Sequence, residues 1–396
     1  MRVLVVHNFY QQAGGEDTVF RAETSLLRRH GHDVRTFTVS NDVIGQTLRL
    51  KAAAHTLWNA QVARKIKAMV HEYGSEIVHF HNTFPLLSPA VYSGAHAGGA
   101  AVVQTLHNFR LLCANGLFFR DGHVCEDCLG KLPLSAVRHS CYRDSLSASA
   151  VVAAMQTVHR AAGTYHTGVD RYIALTEFAR EKFIAGGLPA ERIAIKPNFL
   201  EDSPGAGAGD GGYVLFVGRL SAEKGIETLL RAWTELGTTI PLCILGDGPL
   251  APQVAEAAHS LPGVSWLGQL DRADVLKLMQ GAAFLILPSE WYEGFPMTLI
   301  EAWGVGLPVL GSRLGALGAL IEPGHTGLLF QPGDANSLVD RARWLWDHPH
   351  ERQKMRNQVY QAFQASYTPE QNHEQLIAVY TAALEYFNSS QSRRRV

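Results

Sequence analysis

The fold is decided by residues Leu285–Leu310, LILPSEWYEGFPMTLIEAWGVGLPVL, which predict a buried strand, a loop, a helix and a second buried strand. Glu293 and Glu301 stand eight positions apart across the junction of loop and helix. Gly294 allows close backbone approach, and Pro296 suits the first helical turn. A helix N-terminus presents free amides and partial positive charge to an anion. Amides for an anion and carboxylates for hydroxyl groups suit a ligand that carries both phosphates and sugars.

A second anion-binding pattern precedes this stretch. An apolar strand over Tyr213–Val217 is followed by Gly218 and Arg219, and Lys224 falls in the first turn of the next helix. Two cations beside free helix-terminal amides can form a cradle for a pyrophosphate. The alternative is two solvated surface cations, but their placement directly after a strand favours binding.

The first half also alternates short apolar runs with helices. Gly14 and Gly15 follow the first strand, Val3–Val6, without the G-x-G-x-x-G dinucleotide spacing, although the pair lets a backbone approach a ligand closely. Ile77–His81 and Ala101–His107 are further predicted strands, and each is followed by Asn. Because ligands bind at the carboxyl ends of strands in open α/β sheets, we expect these His-Asn pairs at a binding site.

The length of 396 residues indicates two domains. The run Glu201–Gly212, EDSPGAGAGDGG, is the clearest linker. We therefore predict an N-terminal domain over residues 1–198, a linker over 199–212 and a C-terminal domain over 213–365. Residues 366–396 predict a helix that packs back on the first domain. Two β-α halves joined in this way face a central cleft, where ligands of such proteins bind.

Four of the five cysteines lie in an insertion at about residues 108–145, with the spacing C-x11-C-x2-C-x12-C. They are Cys113, Cys125, Cys128 and Cys141. The intervals resemble those of a four-cysteine structural zinc site that closes a loop, although the outer two cysteines stand alone. The alternative is a group of reduced thiols packed in the insertion, because disulfides are rare in the cytosol.

The net charge of −1 hides an asymmetry between the halves. Residues 1–198 carry 21 Lys and Arg against 15 Asp and Glu, a balance of +6, and residues 199–396 carry 14 against 21, a balance of −7. Leu48–Val70 contains five basic residues, no acid and Trp58. A basic amphipathic helix with an aromatic side chain can lie on an anionic membrane. The alternative is an outer helix with a solvated basic face.

The sequence also indicates a compartment. No apolar run reaches the roughly 18 residues of a spanning helix. The N-terminal MRVLVVHNFYQQ has too short an apolar core for a signal peptide and suits a first strand better. We therefore expect a cytoplasmic protein with reduced cysteines, peripheral on the inner face of the membrane if residues 48–70 dock there. We expect no nucleic-acid partner.

These motifs together resemble the group 1 retaining glycosyltransferases of family four, which have two Rossmann-like domains in the GT-B fold. The resemblance is carried by Glu293 and Glu301, by Gly218–Gly225, GRLSAEKG, and by the glycine loop after the first strand. The order of elements matches along essentially the whole chain. The insertion from His107, HNFRLLCANGLFFRDGHVCEDCLG, resembles a subset of such enzymes from bacterial surface-polysaccharide pathways.

The resemblance implies a role for each site residue. Arg219 and Lys224 would bind the donor diphosphate. Glu293 would contact hydroxyl groups of the transferred sugar, Glu301 would hold the ribose, and His107 would lie near the donor sugar. The remaining donor-binding positions would be Gly14, Gly15, Gly218, Gly294, Phe295, Pro296 and Met297.

The resemblance also implies a mechanism. In this family the departing phosphate is usually described as helping to deprotonate the acceptor hydroxyl on the front face of the sugar. The donor would be a nucleoside-diphosphate sugar, and no catalytic metal or other cofactor is implied, because Arg219 and Lys224 take the place of a metal. The acceptor would be a glycan or a lipid-linked sugar of cell-surface glycan synthesis.

Two other functions are compatible with this fold, a nucleotide-sugar epimerase and a catalytically inactive sugar-nucleotide-binding protein. The combination of Glu293 and Glu301 with Arg219 and Lys224 favours transfer over epimerisation. An inactive protein would be expected to lose one of these charged residues, and all four are present. A phosphorylase is excluded mainly by the chain length.

Overall fold

The computed structural model describes residues 1–11, 14–42 and 49–395. The chain divides into two compact units, each with its own six-stranded parallel sheet. The first unit comprises Met1–Phe118, Glu126–Asn198 and Pro369–Val396, and the second comprises Phe119–Cys125 and Phe199–Thr368.

The strands of the first half follow the short apolar runs. Val3–Val6, for example, is at most 1% exposed, as expected for a parallel strand covered on both faces. The strands are β1 (Arg2–Phe9), β2 (Asp33–Ser40), β3 (Ile77–Phe80), β4 (Ala101–Leu106), β5 (Phe119–Arg120), β6 (His123–Val124), β7 (Arg171–Ala174) and β8 (Ile193–Ile195). The sheet of the first unit has the order β2-β1-β3-β4-β7-β8, and β5 and β6 form a separate antiparallel hairpin.

Helices connect these strands. They are α1 (Gly15–Arg29), α2 (Arg49–Leu57), α3 (Ala60–Tyr73), α4 (Ala90–Gly98), α5 (Leu134–Arg138), α6 (Leu146–Ala161), α7 (Thr164–Thr167) and α8 (Glu177–Ala185). Several show one buried stripe, such as Ala63, Ile66 and Val70 of α3. Across all described residues, no helix has the length and apolar content required to cross a membrane.

The predicted single basic helix over Leu48–Val70 is wrong. The described part forms two helices, α2 and α3, which meet at Trp58 and Asn59, whereas Leu48 lies outside the described residues. The Asn59 side chain accepts a hydrogen bond of 3.2 Å from the Val62 N–H and so caps α3. A capping Asn satisfies an amide that has no partner inside the helix, which favours a new helix start at this position.

The second unit repeats the alternation of strands and helices. Its strands are β9 (Val214–Val217), β10 (Leu242–Leu245), β11 (Val264–Trp266), β12 (Leu285–Leu287), β13 (Val309–Ser312) and β14 (Gly327–Phe330), in the sheet order β11-β10-β9-β12-β13-β14. Its helices are α9 (Ile226–Leu236), α10 (Ala251–Ser260), α11 (Arg272–Gly281), α12 (Met297–Gly304), α13 (Gly315–Leu320), α14 (Ala335–Asp347) and α15 (Pro349–Ser366). Buried apolar side chains, among them Trp233 and Leu310, fill the core against the sheet.

In both sheets, the order in which successive strands are added reverses beside the first strand. The orders β2-β1-β3 and β10-β9-β12 place the later strands on the opposite side of β1 and β9 from the earlier ones. Ligands of open α/β sheets bind outside the carboxyl ends of the strands at such a switch point. The loops after β1 and β3, and those after β9 and β12, are therefore the places where this fold positions functional groups.

The last helix, α16 (Pro369–Arg395), belongs to the first unit. It packs against α1, β4 and β7 and buries Leu376, Tyr380 and Ala383. The Tyr380 hydroxyl forms a hydrogen bond of 2.9 Å with Nδ1 of the buried His79. The first unit is therefore made from residues at both ends of the chain.

The Gly-rich run after Asn198 is held against the second unit. The Gly207 and Gly209 N–H groups donate hydrogen bonds of 3.0 Å each to the carbonyls of Val305 and Gln280. A Cβ at Gly207 would lie 2.3 Å from the Gln280 carbonyl oxygen, so a side chain does not fit there. Glycine at this position serves close packing and not only flexibility.

Candidate active site

The structure brings Lys224 and Glu293 together at the switch point of the second sheet. Lys224 ends the 3-10 turn Ala222–Lys224 after β9, and Glu293 lies in the loop after β12. Lys224 Nζ is 2.7 Å from Glu293 Oε1, and the Ser289 hydroxyl donates to the same oxygen at 2.7 Å. The Glu293 side chain is buried and Lys224 is partly exposed. A cation that reaches solvent thus stands beside a carboxylate fixed by the protein.

A glycine makes this approach possible. Gly225 has a φ of 72°, in the left-handed region that glycine adopts without strain. A Cβ at this position would lie 1.9 Å from the Pro288 carbonyl oxygen at the end of β12. Any larger residue would push the Lys224 turn away from the loop that carries Glu293.

The other predicted donor-binding residues of the second unit lie on the same loops. Gly218 and the exposed Arg219 follow β9 directly. Gly294 lies in the loop after β12, Phe295 is buried, Pro296 is the N-cap of α12 and Met297 is its first residue. The Phe295 ring packs 6.1 Å from that of Tyr367, which fixes the start of the helix. The N–H groups of Gly294, Phe295 and Met297 thus follow Glu293 closely in the sequence.

Glu301 lies one turn into α12. Burial raises the pKa of its carboxyl group, and the nearby Arg272 guanidinium opposes this increase. Arg272 Nε is 3.6 Å from Glu301 Oε1. Arg272 could not be identified from the sequence, because its proximity to Glu301 depends on how α11 packs beside α12.

In the first unit, His107 pairs with His81. Both histidines directly follow strands of the sheet, β4 and β3, and the distance from His81 Nδ1 to His107 Nε2 is 3.0 Å. Burial and the neighbouring histidines hold the pKa of each ring well below its ordinary value, so both are neutral near pH 7. In a neutral pair one nitrogen donates and the other accepts, which fixes the orientation of His107. A cavity of about 30 Å³, lined by both histidines, lies at this edge of the sheet.

A carboxyl group that sequence analysis missed lies beside these histidines. Glu16, in the first turn of α1, accepts hydrogen bonds from Asn82 Nδ2 at 3.1 Å and from Asn108 Nδ2 at 3.2 Å. The side-chain oxygens of Asn82 and Asn108 in turn accept hydrogen bonds from the backbone N–H groups of Phe84 and Arg110. Both amides are thereby oriented with their NH2 groups toward the carboxyl group of Glu16. The two His-Asn pairs in the sequence indicated this edge of the sheet, but they did not point to Glu16.

The Glu16 carboxyl group is electrostatically unusual. Burial of the group, and then the charge of Asp17, raise its pKa to about 8, while the hydrogen bond from Asn108 lowers it. Asp17 itself is held by the Gly14 N–H at 3.1 Å and by His7 Nε2 at 2.7 Å. Glu16 is therefore the carboxyl group at this strand edge that can exchange a proton near neutral pH.

The predicted glycine pair lies beside this group. Gly14 is the N-cap of α1 in extended conformation and Gly15 is its first residue, and both are exposed. A Cβ at Gly14 would meet no atom within 4 Å. The lack of a side chain therefore leaves the start of α1 open, whereas Gln12 and Ala13 of the same loop lie outside the described residues.

The cysteines of the insertion are partly packed into a small core. Cys128 is buried with Phe84, Ala136 and Met155, and Cys141 packs against the same cluster. The Cys113 thiol donates a hydrogen bond of 2.9 Å to Asn115 Oδ1. A zinc site formed by Cys113, Cys125, Cys128 and Cys141 stays a prediction.

Two sequence families match consecutive parts of the chain. Residues 13–203 match Glycosyltransferase Family 4, and residues 201–362 match the glycosyl transferases group 1. Both parts of the chain thus match families of glycosyltransferases. These matches support the group 1 family expected from the motifs.

Curated relatives match parts of the chain. The D-rhamnosyltransferase WbpZ of Pseudomonas aeruginosa is 34% identical over 147 residues, which are 36% of this chain and 38% of that protein. The alpha-D-kanosaminyltransferase of Streptomyces kanamyceticus is 27% identical over 218 residues, 53% of this chain and 54% of that protein. The chain thus spans about two fifths to about half of the length of these relatives.

Solved structures match nearly the whole chain. HepE of Anabaena, in complex with UDP, has a TM-score of 0.69 at 16% identity and covers 96% of this chain and 100% of its own. The lipopolysaccharide outer core galactosyltransferase WaaB has a TM-score of 0.62 at 16% identity and covers 100% of both chains. At such identities the likeness concerns the fold, and it confirms the predicted α/β GT-B class with two Rossmann-like domains.

Proposed function

We propose that this chain is a retaining glycosyltransferase that moves a sugar from a nucleoside-diphosphate sugar to an acceptor hydroxyl. The observation that carries the proposal is the 2.7 Å contact between Lys224 and Glu293 at the switch point of the second sheet. A cation and a carboxylate at one strand edge can serve the phosphate and sugar parts of the same donor. The solved complexes of HepE with UDP and with UDP-glucose support a nucleotide sugar as donor, because that protein has the same fold.

Donor binding would rearrange the charged pair. A diphosphate competes with Glu293 for the Lys224 ammonium, and the exposed Arg219 adds a second positive charge after the same strand. Glu293 keeps the Ser289 hydroxyl and gains a free acceptor position for a hydroxyl of the transferred sugar. The backbone N–H groups of Gly294 and Phe295, which precede α12, and of Met297, its first residue, add donors for the departing oxygens, and Glu301 holds the ribose hydroxyls.

In the proposed transfer step, the bonds broken and formed and the proton released are all accounted for by the donor and the acceptor. The bond between the anomeric carbon and the diphosphate oxygen breaks, and the bond to the acceptor oxygen forms on the same face. The acceptor proton passes to the departing phosphate oxygen. Arg219 and Lys224 stabilise the negative charge that develops there. A neutral His107 can hydrogen-bond to the donor sugar without adding charge near the reacting carbon.

The acceptor would bind in the first unit. Glu16, oriented by Asn82 and Asn108, is a suitable contact for the acceptor hydroxyl, because a carboxyl group with a pKa of about 8 can both donate and accept a hydrogen bond near neutral pH. The acceptor class would be a glycan or a lipid-linked sugar of cell-surface glycan synthesis, handled in the cytoplasm. The relatives named as a D-rhamnosyltransferase and a lipopolysaccharide galactosyltransferase support this class.

A screen of nucleoside-diphosphate sugars by thermal unfolding tests the donor assignment. The true donor should raise the unfolding temperature, since a ligand at 100 times its Kd stabilises the folded state by about 2.7 kcal/mol. NMR of the product should then show the anomeric configuration of the donor. An inverted product would refute retention, and the absence of stabilisation by every donor would refute the donor site.

The same experiment separates the alternatives. Conversion of the donor to its epimer in the absence of any acceptor would favour an epimerase. Donor binding without turnover in the presence of an acceptor extract that supports transfer by a related enzyme would favour an inactive binding protein. The presence of Arg219, Lys224, Glu293 and Glu301 together argues for transfer over both.

A further inference from the structure

The solvent side of α6 is uncharged. Ser147, Ala154, Val158 and Ala161 are exposed and recur along one side of this helix of 16 residues. An outer helix of a soluble domain normally carries charged side chains on the side that faces water. We name this surface, together with Leu146 at the start of α6 and the flanking residues Trp58, Leu132 and Leu134, the α6 face. It lacks the charged side chains of a helix that only faces solvent.

Large apolar side chains lie on α6 and beside it. Trp58, Leu132, Leu134, Leu146 and Val158 are each 49% to 70% exposed. Among the exposed large apolar residues of the described chain, the remaining three, Ile195, Leu267 and Leu270, lie elsewhere. Single exposed apolar residues are normal, whereas several around one helix indicate an interaction site.

Contacts within the first unit bring these residues to one surface. α2 and α5 both pack against α6. The Trp58 ring stacks on that of His159 with 5.9 Å between centroids, next to Val158. On the other flank, Arg160 Nη1 donates a hydrogen bond of 2.7 Å to the Lys131 carbonyl, which places Leu132 beside the end of α6.

The surroundings of this surface are strongly basic. Residues 49–58 and 130–168 together contain six Lys and Arg and one acid, Asp144. Lys51, Lys131 and Arg138 are exposed. A second copy of the same face would carry the same positive charge and be repelled, whereas an anionic bilayer accepts apolar side chains and attracts the cations around them.

We propose that the α6 face docks the first unit on an anionic lipid bilayer, with Trp58, Leu132, Leu134 and Val158 entering the interface. This changes the location expected from the sequence, because α3 exposes Arg64, Lys65 and Lys67 but no large apolar side chain. The inference goes beyond the proposed transfer reaction and does not depend on the identity of the donor. It adds that a lipid-linked acceptor would be met at the membrane.

Vesicle co-sedimentation of the full chain tests the proposal, with phosphatidylcholine vesicles that contain or lack phosphatidylglycerol. The test variant combines Leu132→Ser, Leu134→Ser and Val158→Ser, and the matched control combines Ile195→Ser, Leu267→Ser and Leu270→Ser. All six side chains are exposed, so both variants should unfold at the wild-type temperature. We expect the test variant to bind anionic vesicles at least about tenfold more weakly, and the control to bind like wild type.

Other outcomes would overturn the proposal. Equal binding by wild type and the test variant would do so, as would no binding to either vesicle. Loss of binding only on Arg64→Glu, Lys65→Glu and Lys67→Glu would move the contact to α3. A dimer that the test variant abolishes, without vesicle binding, would identify an interface between copies. Donor-induced thermal stabilisation, measured on the same variants, reports separately on the proposed transfer function.

Discussion

Among single residues, Lys224 has the most direct role in the proposed donor site, with Glu293 at 2.7 Å and the Trp291 ring 5.3 Å away. We predict that Arg219→Ala and Lys224→Ala each lower kcat/KM by about 10- to 150-fold, since a charge-assisted contact contributes about 1.5–3 kcal/mol. Lys354→Ala, which removes an exposed cation of α15, is the matched control and should leave kcat/KM unchanged. Near-normal kcat/KM in both site variants would refute the diphosphate assignment.

Glu16 makes a prediction about pH. In the folded chain its pKa is raised to about 8, whereas in the unfolded chain it ionises near the ordinary value of 4.5. The folded state thus holds more protons between these values, and this group lowers the free energy of unfolding as the pH rises from about 4.5 to about 8. Glu16→Gln should remove this decrease. The unfolding temperature of the variant should therefore rise relative to that of wild type as the pH increases across this range.

The control for Glu16 is the exposed Glu191, also in the first unit, as Glu191→Gln. Its unfolding temperature should follow that of wild type at every pH. Parallel curves for wild type and Glu16→Gln would show that the Glu16 carboxyl group is not shifted. The residue could not be assigned from sequence, because its environment arises where the ends of β1, β3 and β4 meet. In the sequence, Glu16 follows two glycines, and the Asn82 and Asn108 side chains that bind it lie 66 and 92 residues away.

At the scale of elements, the cysteine insertion makes a prediction about metal content. If its four cysteines bind zinc, the purified protein should contain one zinc per chain with Zn–S distances of about 2.3 Å by X-ray absorption. Cys125→Ser combined with Cys128→Ser should lose the metal and destabilise the insertion. Cys243→Ser, in β10, is the control and should retain it. Protein that is isolated without metal under reducing conditions would favour packed thiols.

The strands were the elements that the sequence predicted best. Apolar runs identified β12 and β13 at both ends of the decisive stretch, because a strand buried on both faces leaves a compositional mark that needs no tertiary information. The helix boundary at Trp58 and Asn59 was missed. The basic and apolar pattern continues through that point, and only the capping side chain of Asn59 marks the break. The capping residue, and not the periodicity of apolar residues, therefore determined where the second helix begins.

For the whole molecule, α16 joins the end of the chain to the first unit. Tyr380 is fully buried there and bonded to His79, so we predict that Tyr380→Ala lowers the free energy of unfolding by about 3–5 kcal/mol. Glu385→Ala, at an exposed position of the same helix, should change it by less than about 0.5 kcal/mol. Equal unfolding temperatures in thermal scans of these two variants would show that α16 does not support the first sheet.

The return of α16 to the first unit has a consequence for the order of synthesis. A ribosome releases residues 1–198 long before it makes residues 369–395, although both belong to one sheet-containing unit. Domains generally fold from the N-terminus during synthesis, and exposed apolar surface promotes aggregation in the meantime. The second unit is continuous from Phe199 to Thr368 apart from its hairpin. It can therefore fold before the last helix of the first unit has been synthesised. A nascent chain stalled before Pro369 would leave the side of β4 and β7 that α16 covers open to chaperones and proteases.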